Sequence, residues 1–252
     1  MATTMAEAWL FPDWPAPAHV HAAVSTREGP GASQPPFGRF NLGLRSGESA
    51  EVVASNRDAL QQALALPGAP RWLQQVHGTT VAELGPLPGD HAPQADAAVS
   101  RIPGTVLAIL TADCLPVLFC ADDGSVIGAA HAGWRGLAAG VLEATIEQMQ
   151  AAPARLLAWL GPCIAGRSYE VGEEVRAAFV DRAATAAACF APTRPGHWHC
   201  DLARLARQRL AAAGVARVHG GGFDTFTDPR FYSYRREGAR SGRFASLVWL
   251  AA

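Results

Sequence analysis

The chain has 252 residues, 49% of them hydrophobic and 17% charged, so it is long enough to bury a core and too apolar to be disordered. Its formal net charge of -1 gives no electrostatic reason to expect binding to nucleic acid or to an anionic membrane. Five cysteines, an odd number with no disulfide spacing, favour a reducing compartment. No signal-peptide pattern or membrane-spanning run is present, so we expect a cytoplasmic protein.

The first part of the chain combines strand patterns with one amphipathic helix. Loose alternation over residues 19–26 predicts a strand. Residues 51–65 carry apolar side chains at helical spacing, and Ser49 is a suitable N-cap. Residues 71–76 are predicted to be extended and to end at His77.

The centre of the chain predicts a β-hairpin. Two short apolar runs flank the turn sequence Ala-Asp-Asp-Gly-Ser. Pairing of Cys120 with Val126 across this turn would place Cys114 beside His131 at the open end of the hairpin. Which face these side chains share depends on the register, because a slip of one residue moves every side chain to the other face.

Helices and strands follow without a strict alternation. Helical periodicity covers 137–150, 172–182 and 201–213, and strand patterns cover 106–112, 155–160 and 245–250. This mixture predicts an α+β fold with a mixed sheet, and the length suits one large domain or two small ones. The closely spaced His197 and His199 are predicted to lie in a surface loop.

Three residues have side chains suited to a metal site. One thiolate, from Cys114, and two imidazoles, from His77 and His131, are ligands that zinc accepts, and three protein ligands leave a fourth position open. Asp113 could orient one of them from outside the coordination sphere. The residues alone leave alternatives open, because Cys114 could be a buried apolar side chain and His77 a loop residue. Without metal, Cys114 as nucleophile and His131 as base would suit a cysteine hydrolase.

Three segments form a distinctive combination. They are Gln-Val-His-Gly at 75–78, Thr-Ala-Asp-Cys-Leu-Pro at 111–116 and His-Ala-Gly-Trp-Arg-Gly at 131–136. Together with further matches along almost the whole chain, such as Asp-Ala at 96–97 and Gly-Arg at 242–243, they resemble the laccase-domain family. This family is also called the multicopper polyphenol oxidase, bacterial purine nucleoside phosphorylase or peptidoglycan editing factor family.

The resemblance implies a single-domain α/β sandwich-like fold over residues 1–252. It also implies a zinc site whose ligands, which are the catalytic residues as well, are His77, Cys114 and His131. It implies phosphorolysis of adenosine, guanosine, inosine and methylthioadenosine, with adenosine deamination alongside. One departure concerns specificity rather than the zinc ligands: this chain has Asp224 where the family commonly has Cys.

Phosphorolysis requires a phosphate held against the anomeric carbon of a nucleoside. The candidate substrate-binding residues are Asn41, Arg27, Arg45, Arg57 and Arg135. Guanidinium groups suit phosphate, and Arg135 lies at a predicted helix start, where anions bind well. For each arginine the alternative is a salt bridge or packing along its stem, and for Asn41 a turn.

Other functions remain open at this level. The zinc-deaminase signature is absent, so a proton relay in deamination would fall to Glu170 or Asp113. The cysteine hydrolase would edit peptidoglycan precursors, and a binding module would use the ion only for stability. A copper polyphenol oxidase is less expected, although Cu²⁺ could bind, because few of the eight histidines are close together. We expect a monomer or a homodimer.

Overall fold

The computed structural model describes residues 5–87 and 91–251. Its strands are β1 (Trp9–Leu10), β2 (Val20–Ser25), β3 (Val81–Glu83), β4 (Ala97–Ser100), β5 (Val106–Thr111), β6 (Leu115–Ala121), β7 (Ile127–Ala132), β8 (Leu156–Leu160), β9 (Glu170–Gly172), β10 (Phe190–Arg194), β11 (His197–Cys200), β12 (Arg217–Gly220) and β13 (Phe244–Leu250). Its α-helices are α1 (Met5–Ala8), α2 (Ala50–Ala63), α3 (Trp134–Ala139), α4 (Val141–Met149), α5 (Glu173–Val180), α6 (Leu202–Ala212) and α7 (Tyr234–Glu237).

The strands form three sheets. An antiparallel sheet has the order β1-β2-β13-β5, and a six-stranded sheet has the order β12-β8-β6-β7-β4-β3. The six-stranded sheet is mixed, because β12 with β8 and β3 with β4 are parallel pairs. The third sheet has the order β10-β11-β9. The predicted α+β class with a mixed sheet is confirmed.

The two larger sheets pack face to face as a sandwich. Ile109 and Val248 of the antiparallel sheet pack in one buried cluster with Leu118 of the six-stranded sheet. Val117 and Phe119 alternate with Leu118 along β6, and they pack on the other side against α4 and α6. Helix α2 covers the outer face of the antiparallel sheet. Both larger sheets are therefore covered on each side, as the resemblance implied.

One predicted helix begins at the expected residue, and another is divided in two. The Ser49 side chain accepts a hydrogen bond from the N–H of Val52 at 3.3 Å, which confirms the N-cap of α2. The helix predicted over 137–150 is instead divided into α3 and α4 by Gly140, whose φ of 112° is left-handed.

The hairpin of β6 and β7 forms with a register one residue away from the prediction. Cys120 pairs with Ile127 instead of Val126. The main-chain N–H of Ala121 donates to the carbonyl of Val126 at 2.9 Å, so Ala121 belongs to the ladder and the turn is one residue shorter than predicted.

Two further local predictions are wrong. Residues 71–76 are not a strand, since only Arg71 forms an isolated bridge, to Leu107. His197 and His199 lie in β11, because β9 and β10 pair with that segment on both sides. None of the described helices is long and apolar enough to cross a membrane.

Candidate metal centre and active site

His77, Cys114 and His131 come together from three separate parts of the chain. Their potential ligand atoms all lie within 4.8 Å of one another. Sγ of Cys114 is 3.8 Å from Nε2 of His77, and the two imidazole rings meet edge to face with centroids 4.7 Å apart. His131 is buried, Cys114 is half-buried and His77 is exposed, so the cluster opens to solvent on the His77 side.

The spacing of these atoms fits a small tetrahedral ion. With zinc bond lengths of about 2.3 Å to sulfur and about 2.05 Å to nitrogen, tetrahedral S and N donors lie roughly 3.6 Å apart. The observed 3.8 Å between Cys114 and His77 is close to this spacing. Within the described ranges, no other group of three or more His, Cys, Asp or Glu side chains is close enough to share an ion.

Asp96 positions two of the three possible ligands, and sequence reasoning noted it only as part of a motif. One oxygen, Oδ1, accepts the main-chain N–H of His77 at 2.9 Å and lies 2.8 Å from Nδ1 of His131. The other oxygen, Oδ2, accepts the N–H groups of Val76 at 3.1 Å and Gly78 at 2.7 Å. Three successive N–H groups thus surround one buried carboxylate, in the manner of an anion-binding nest.

Strand pairing explains why Asp96 meets His131. Ala97 of β4 pairs with Ala130 of β7, so the preceding and following residues, Asp96 and His131, lie opposite each other. The main-chain N–H of His131 donates to the carbonyl of Asp96 at 2.7 Å. A carboxylate directly before an apolar run, here Ala-Ala-Val at 97–99, needs a partner if it is buried, and this was the signal available in the sequence.

The backbone is left-handed at His77 and at Asp113, the residue directly before Cys114. His77 has φ of 64° and Asp113 has φ of 84°, values uncommon for residues other than glycine. The Asp113 carboxylate accepts hydrogen bonds from Oγ1 of Thr225 and from the main-chain N–H of Arg235, both at 2.6 Å. Asp113 therefore anchors the backbone that leads into Cys114, and does not orient a ligand side chain as the sequence had suggested.

Two glycines of the His-Ala-Gly-Trp-Arg-Gly motif make room for the cluster. A Cβ atom on Gly133 would lie 2.9 Å from Cδ2 of His77 and 3.0 Å from Sγ of Cys114. A Cβ atom on Gly136 would lie 2.9 Å from the carbonyl oxygen of Gly78. A side chain at Gly133 would thus displace two of the possible ligands.

The cluster favours a thiolate on Cys114. Burial raises the pKa of this thiol, but the charges and hydrogen bonds of His131 and His77 outweigh burial and lower the pKa below its usual value. Burial lowers the pKa of His131, but the Cys114 thiolate and Asp96 together raise it by more than burial lowers it. The pKa of His131 is therefore above its usual value. The other cysteines, Cys120, Cys163, Cys189 and Cys200, have pKa values raised by burial. Cys114 is therefore the cysteine prepared to bind metal, since the thiolate is the ligand form.

Two of the predicted substrate-binding arginines are engaged within the protein. Arg27 forms a 2.6 Å ion pair with Glu237. Arg57 donates two hydrogen bonds to the carbonyl of Leu42 and stacks on Trp72, with its guanidinium carbon 4.1 Å from the ring centroid. These contacts match the packing alternative weighed for them, and their contact with substrate stays a prediction.

The remaining three candidates differ in their surroundings. The buried Asn41 amide donates to Oγ of Ser46 at 2.7 Å and to Oε2 of Glu48 at 2.8 Å, so it holds a loop in place. Arg135 lies over the ring of Trp134, and Arg45 is exposed. Binding of substrate by any of the three is likewise untested.

An open depression of about 400 Å³ lies beside the cluster. Its lining includes Trp134, which directly follows Gly133, and Tyr169. The guanidinium of Arg235 lies 5.1 Å from the Tyr169 ring centroid, and Glu174 contributes a carboxylate on the same wall. Two half-buried aromatic rings therefore face solvent next to the possible metal ligands.

Two acidic residues noted in the sequence have structural partners. Hydrogen bonds from Arg194 and Thr193 lower the pKa of Glu170, which makes Glu170 a poor proton relay at neutral pH. The Asp224 carboxylate accepts from Oγ of Ser168 at 2.8 Å and pairs with Arg167 at 3.0 Å. Asp224 thus joins two loops and does not contact the cluster.

Comparisons with known proteins agree with this geometry. The family model described as multi-copper polyphenol oxidoreductase laccase matches residues 21–251. A purine nucleoside phosphorylase of Pseudomonas aeruginosa is 54% identical over 245 residues, which cover 96% of this chain and 98% of the relative. The purine nucleoside phosphorylase YfiH of Escherichia coli is 48% identical over 242 residues, with 96% and 98% covered.

Solved structures show the same fold. A Neisseria meningitidis protein superposes with a TM-score of 0.91 at 43% identity, covering 97% of this chain and all of that one. YlmD from Geobacillus stearothermophilus superposes with a TM-score of 0.87 at 28% identity, covering 99% of this chain and 98% of that one. By sequence and by fold, this chain belongs to the multi-copper polyphenol oxidoreductase laccase family.

Proposed function

We propose that this protein is a zinc-dependent purine nucleoside phosphorylase whose metal is bound by His77, Cys114 and His131. The carrying observation is that these three side chains form an open cluster, with ligand atoms within 4.8 Å of one another. The relatives named as purine nucleoside phosphorylases, at 48% and 54% identity, support the choice of reaction. In that reaction a phosphate oxygen bonds to the anomeric carbon while the bond to the purine nitrogen breaks.

The protein's own residues would prepare the centre for this chemistry. Asp96 is ionised, because hydrogen bonds from His131 and Gly78 outweigh burial and lower its pKa, so Nδ1–H of His131 donates to Asp96. Nε2 is then the nitrogen that would bind the ion, and it would release its proton on binding. A zinc ion bound here would supply positive charge for phosphate oxygens. The exposed position of His77 leaves one side open to substrates.

We assign the purine base to the depression beside the cluster. The rings of Trp134 and Tyr169 offer surfaces on which a planar base can stack. Within the described residues the Glu174 carboxylate has no hydrogen-bond or ion-pair partner, so it is available to accept an N–H of the base. Burial raises the pKa of Tyr169, so its hydroxyl stays protonated and can donate to the departing base.

The test is phosphate-dependent release of hypoxanthine from inosine by zinc-loaded protein. We expect release only when phosphate is present, and loss of release in Cys114→Ser. Cys189→Ala, which removes a thiol outside the cluster, is the matched control and should retain activity. A folded, zinc-loaded protein that releases no hypoxanthine would reject the phosphorylase assignment.

We propose that adenosine deamination, if catalysed, uses the same cluster with water in place of phosphate. Glu170 is paired with Arg194, and the Asp113 carboxylate accepts two hydrogen bonds of its own, so neither is a free proton relay. Ammonia release from adenosine without phosphate would identify this activity. Its loss in Cys114→Ser would place it at the cluster.

A cysteine hydrolase acting on peptidoglycan precursors is the second candidate. Asp96, His131 and Cys114 lie in the order of a carboxylate, base and nucleophile. Hydrolysis by metal-free protein, blocked by added zinc, would favour this candidate. A copper oxidase has less support, because the described residues offer one cluster where multicopper chemistry needs a further site rich in histidine.

We also propose a cytoplasmic location, because all five cysteines are free and Cys114 must stay reduced to bind metal.

A further inference from the structure

Arg243 lies at the same edge of the fold as the metal cluster. It directly precedes β13, whose first residue, Phe244, pairs with Thr111 at the end of β5. The chain continues from Thr111 through two residues to Cys114, so Arg243 runs alongside the segment that carries the thiolate. Sequence reasoning noted Arg243 only as part of a Gly-Arg match.

The Arg243 side chain is held in one position. Its main-chain N–H donates to Oδ1 of Asn41 at 2.8 Å. Gly43 packs against its stem so closely that a Cβ atom there would lie 2.6 Å from Cγ of Arg243. The guanidinium carbon lies 6.0 Å from the centroid of the Tyr234 ring. A side chain restrained in this way loses little entropy when it binds a ligand.

Among the residues that the structure describes, no carboxylate forms an ion pair with Arg243. Nη1 donates to the carbonyls of Ser241 at 2.7 Å and Gly242 at 2.9 Å, while Nε and Nη2 make no hydrogen bond within the described residues. Burial lowers its pKa, and the charges of Cys114, Asp113 and Glu237 raise it by less, without any of them forming an ion pair with it. A half-buried guanidinium without an ion pair is costly, and an anion bound at this edge would offset the cost.

Three other arginines already use their guanidinium groups on partners within the protein. Arg27 and Arg236 share Glu237, at 2.6 Å and 3.0 Å respectively. Arg57 uses Nε and Nη2 on a main-chain carbonyl. The two donors of Arg243 that lack partners are on one edge of the guanidinium, the edge that binds phosphate through two parallel hydrogen bonds.

We infer that Arg243 forms the phosphate subsite beside the metal cluster, with its Nε–H and Nη2–H donating to two oxygens of inorganic phosphate. This inference rests on the proposed phosphorylase function. Arg243 would hold the nucleophile and would undergo no covalent change.

The test compares Arg243→Met and Arg243→Lys with the zinc-loaded wild type. Loss of two charge-assisted hydrogen bonds should raise the KM for phosphate by about 10- to 100-fold in Arg243→Met, with a smaller rise in Arg243→Lys. The KM for inosine should change by less than about twofold, because the base lies elsewhere. Arg209→Met is the matched control, because Arg209 pairs with Glu143 between α6 and α4.

A second measurement needs no variant and no turnover. Phenylglyoxal should modify Arg243 of the wild type, and inorganic phosphate should slow that modification while leaving other arginines unaffected, as followed by peptide mass spectrometry. An active, zinc-loaded Arg243→Met with an unchanged KM for phosphate would overturn the inference. So would modification of Arg243 at the same rate with and without phosphate. A wild type without phosphate-dependent hypoxanthine release would instead overturn the proposed function.

Discussion

Replacement of Asp96 by Asn tests whether this buried carboxylate holds the metal cluster together. The change keeps the size of the side chain and converts one acceptor oxygen into an NH₂ donor. Each carboxylate oxygen serves two donors: Oδ1 serves His77 N–H and His131 Nδ1, and Oδ2 serves Val76 N–H and Gly78 N–H. Whichever way the amide turns, its NH₂ group therefore replaces an acceptor that served two donors, and those two donors lose their hydrogen bonds.

The expected cost follows from that count. A fully buried donor left without an acceptor costs about 1–3 kcal/mol, and because the main-chain hydrogen bonds are only partly buried, we expect the two lost acceptors to cost about 1–3 kcal/mol of unfolding free energy together. That is a large part of the roughly 5–15 kcal/mol typical of a folded domain. The affinity for zinc should also fall about 10- to 100-fold, because His131 loses the partner that orients it and the segment carrying His77 loses its anchor.

Denaturant unfolding of the metal-free protein measures the first quantity, and competition with a zinc chelator of known affinity measures the second. Asp224→Asn is the matched control, because Asp224 is also a buried carboxylate with several hydrogen bonds but does not contact the cluster. It should reduce stability and leave zinc affinity within about threefold of the wild type. Wild-type zinc affinity in Asp96→Asn would refute the positioning role, even if the protein were less stable.

Three other predictions concern the cluster. In metal-free protein, iodoacetamide should modify Cys114 before the other cysteines, and the rate should rise with pH through a midpoint below that of an ordinary thiol. His131→Asn should move this midpoint upward. An unmoved midpoint would contradict the electrostatic coupling between His131 and Cys114. Gly133→Ala should weaken zinc binding because its Cβ meets His77 and Cys114, whereas Gly222→Ala, whose Cβ meets nothing within 4 Å, should bind zinc normally. Removal of zinc by a chelator should lower the Tm and abolish phosphorolysis, and added zinc should restore both. Full activity in zinc-free protein would contradict the proposed metal dependence.

Local patterns predicted most of the longer helices and strands and missed short strands such as β3 and β4. The N-cap of α2 at Ser49 and the hairpin of β6 and β7 follow from residues close together in the chain, so they can be read without knowing the fold. Errors arose where one residue decides the outcome. Gly140 divides a predicted helix, and Ala121 adds one pair to the ladder and shifts the hairpin register.

The location of the candidate site was partly predictable. Cys114 and His131 flank one hairpin, and this placed them together even with the register wrong by one residue. His77 was added by resemblance to a family, since no local pattern connects residue 77 to a hairpin more than 30 residues away. The contacts of Arg27 and Arg57 could not be predicted in this way, because their partners Glu237 and Trp72 lie in other segments of the chain.

The sequence by itself determined the elements and the ligand types, because helix periodicity, turn residues and the chemistry of Cys and His are local properties. Only the tertiary structure decided that Asp96 serves both His77 and His131, and that Arg243 lies beside Cys114 with no ion pair to a carboxylate of the described residues. Both facts depend on which strands pair and in what register. Pairing is set by burial of apolar faces over the whole sandwich, and no short segment contains that information.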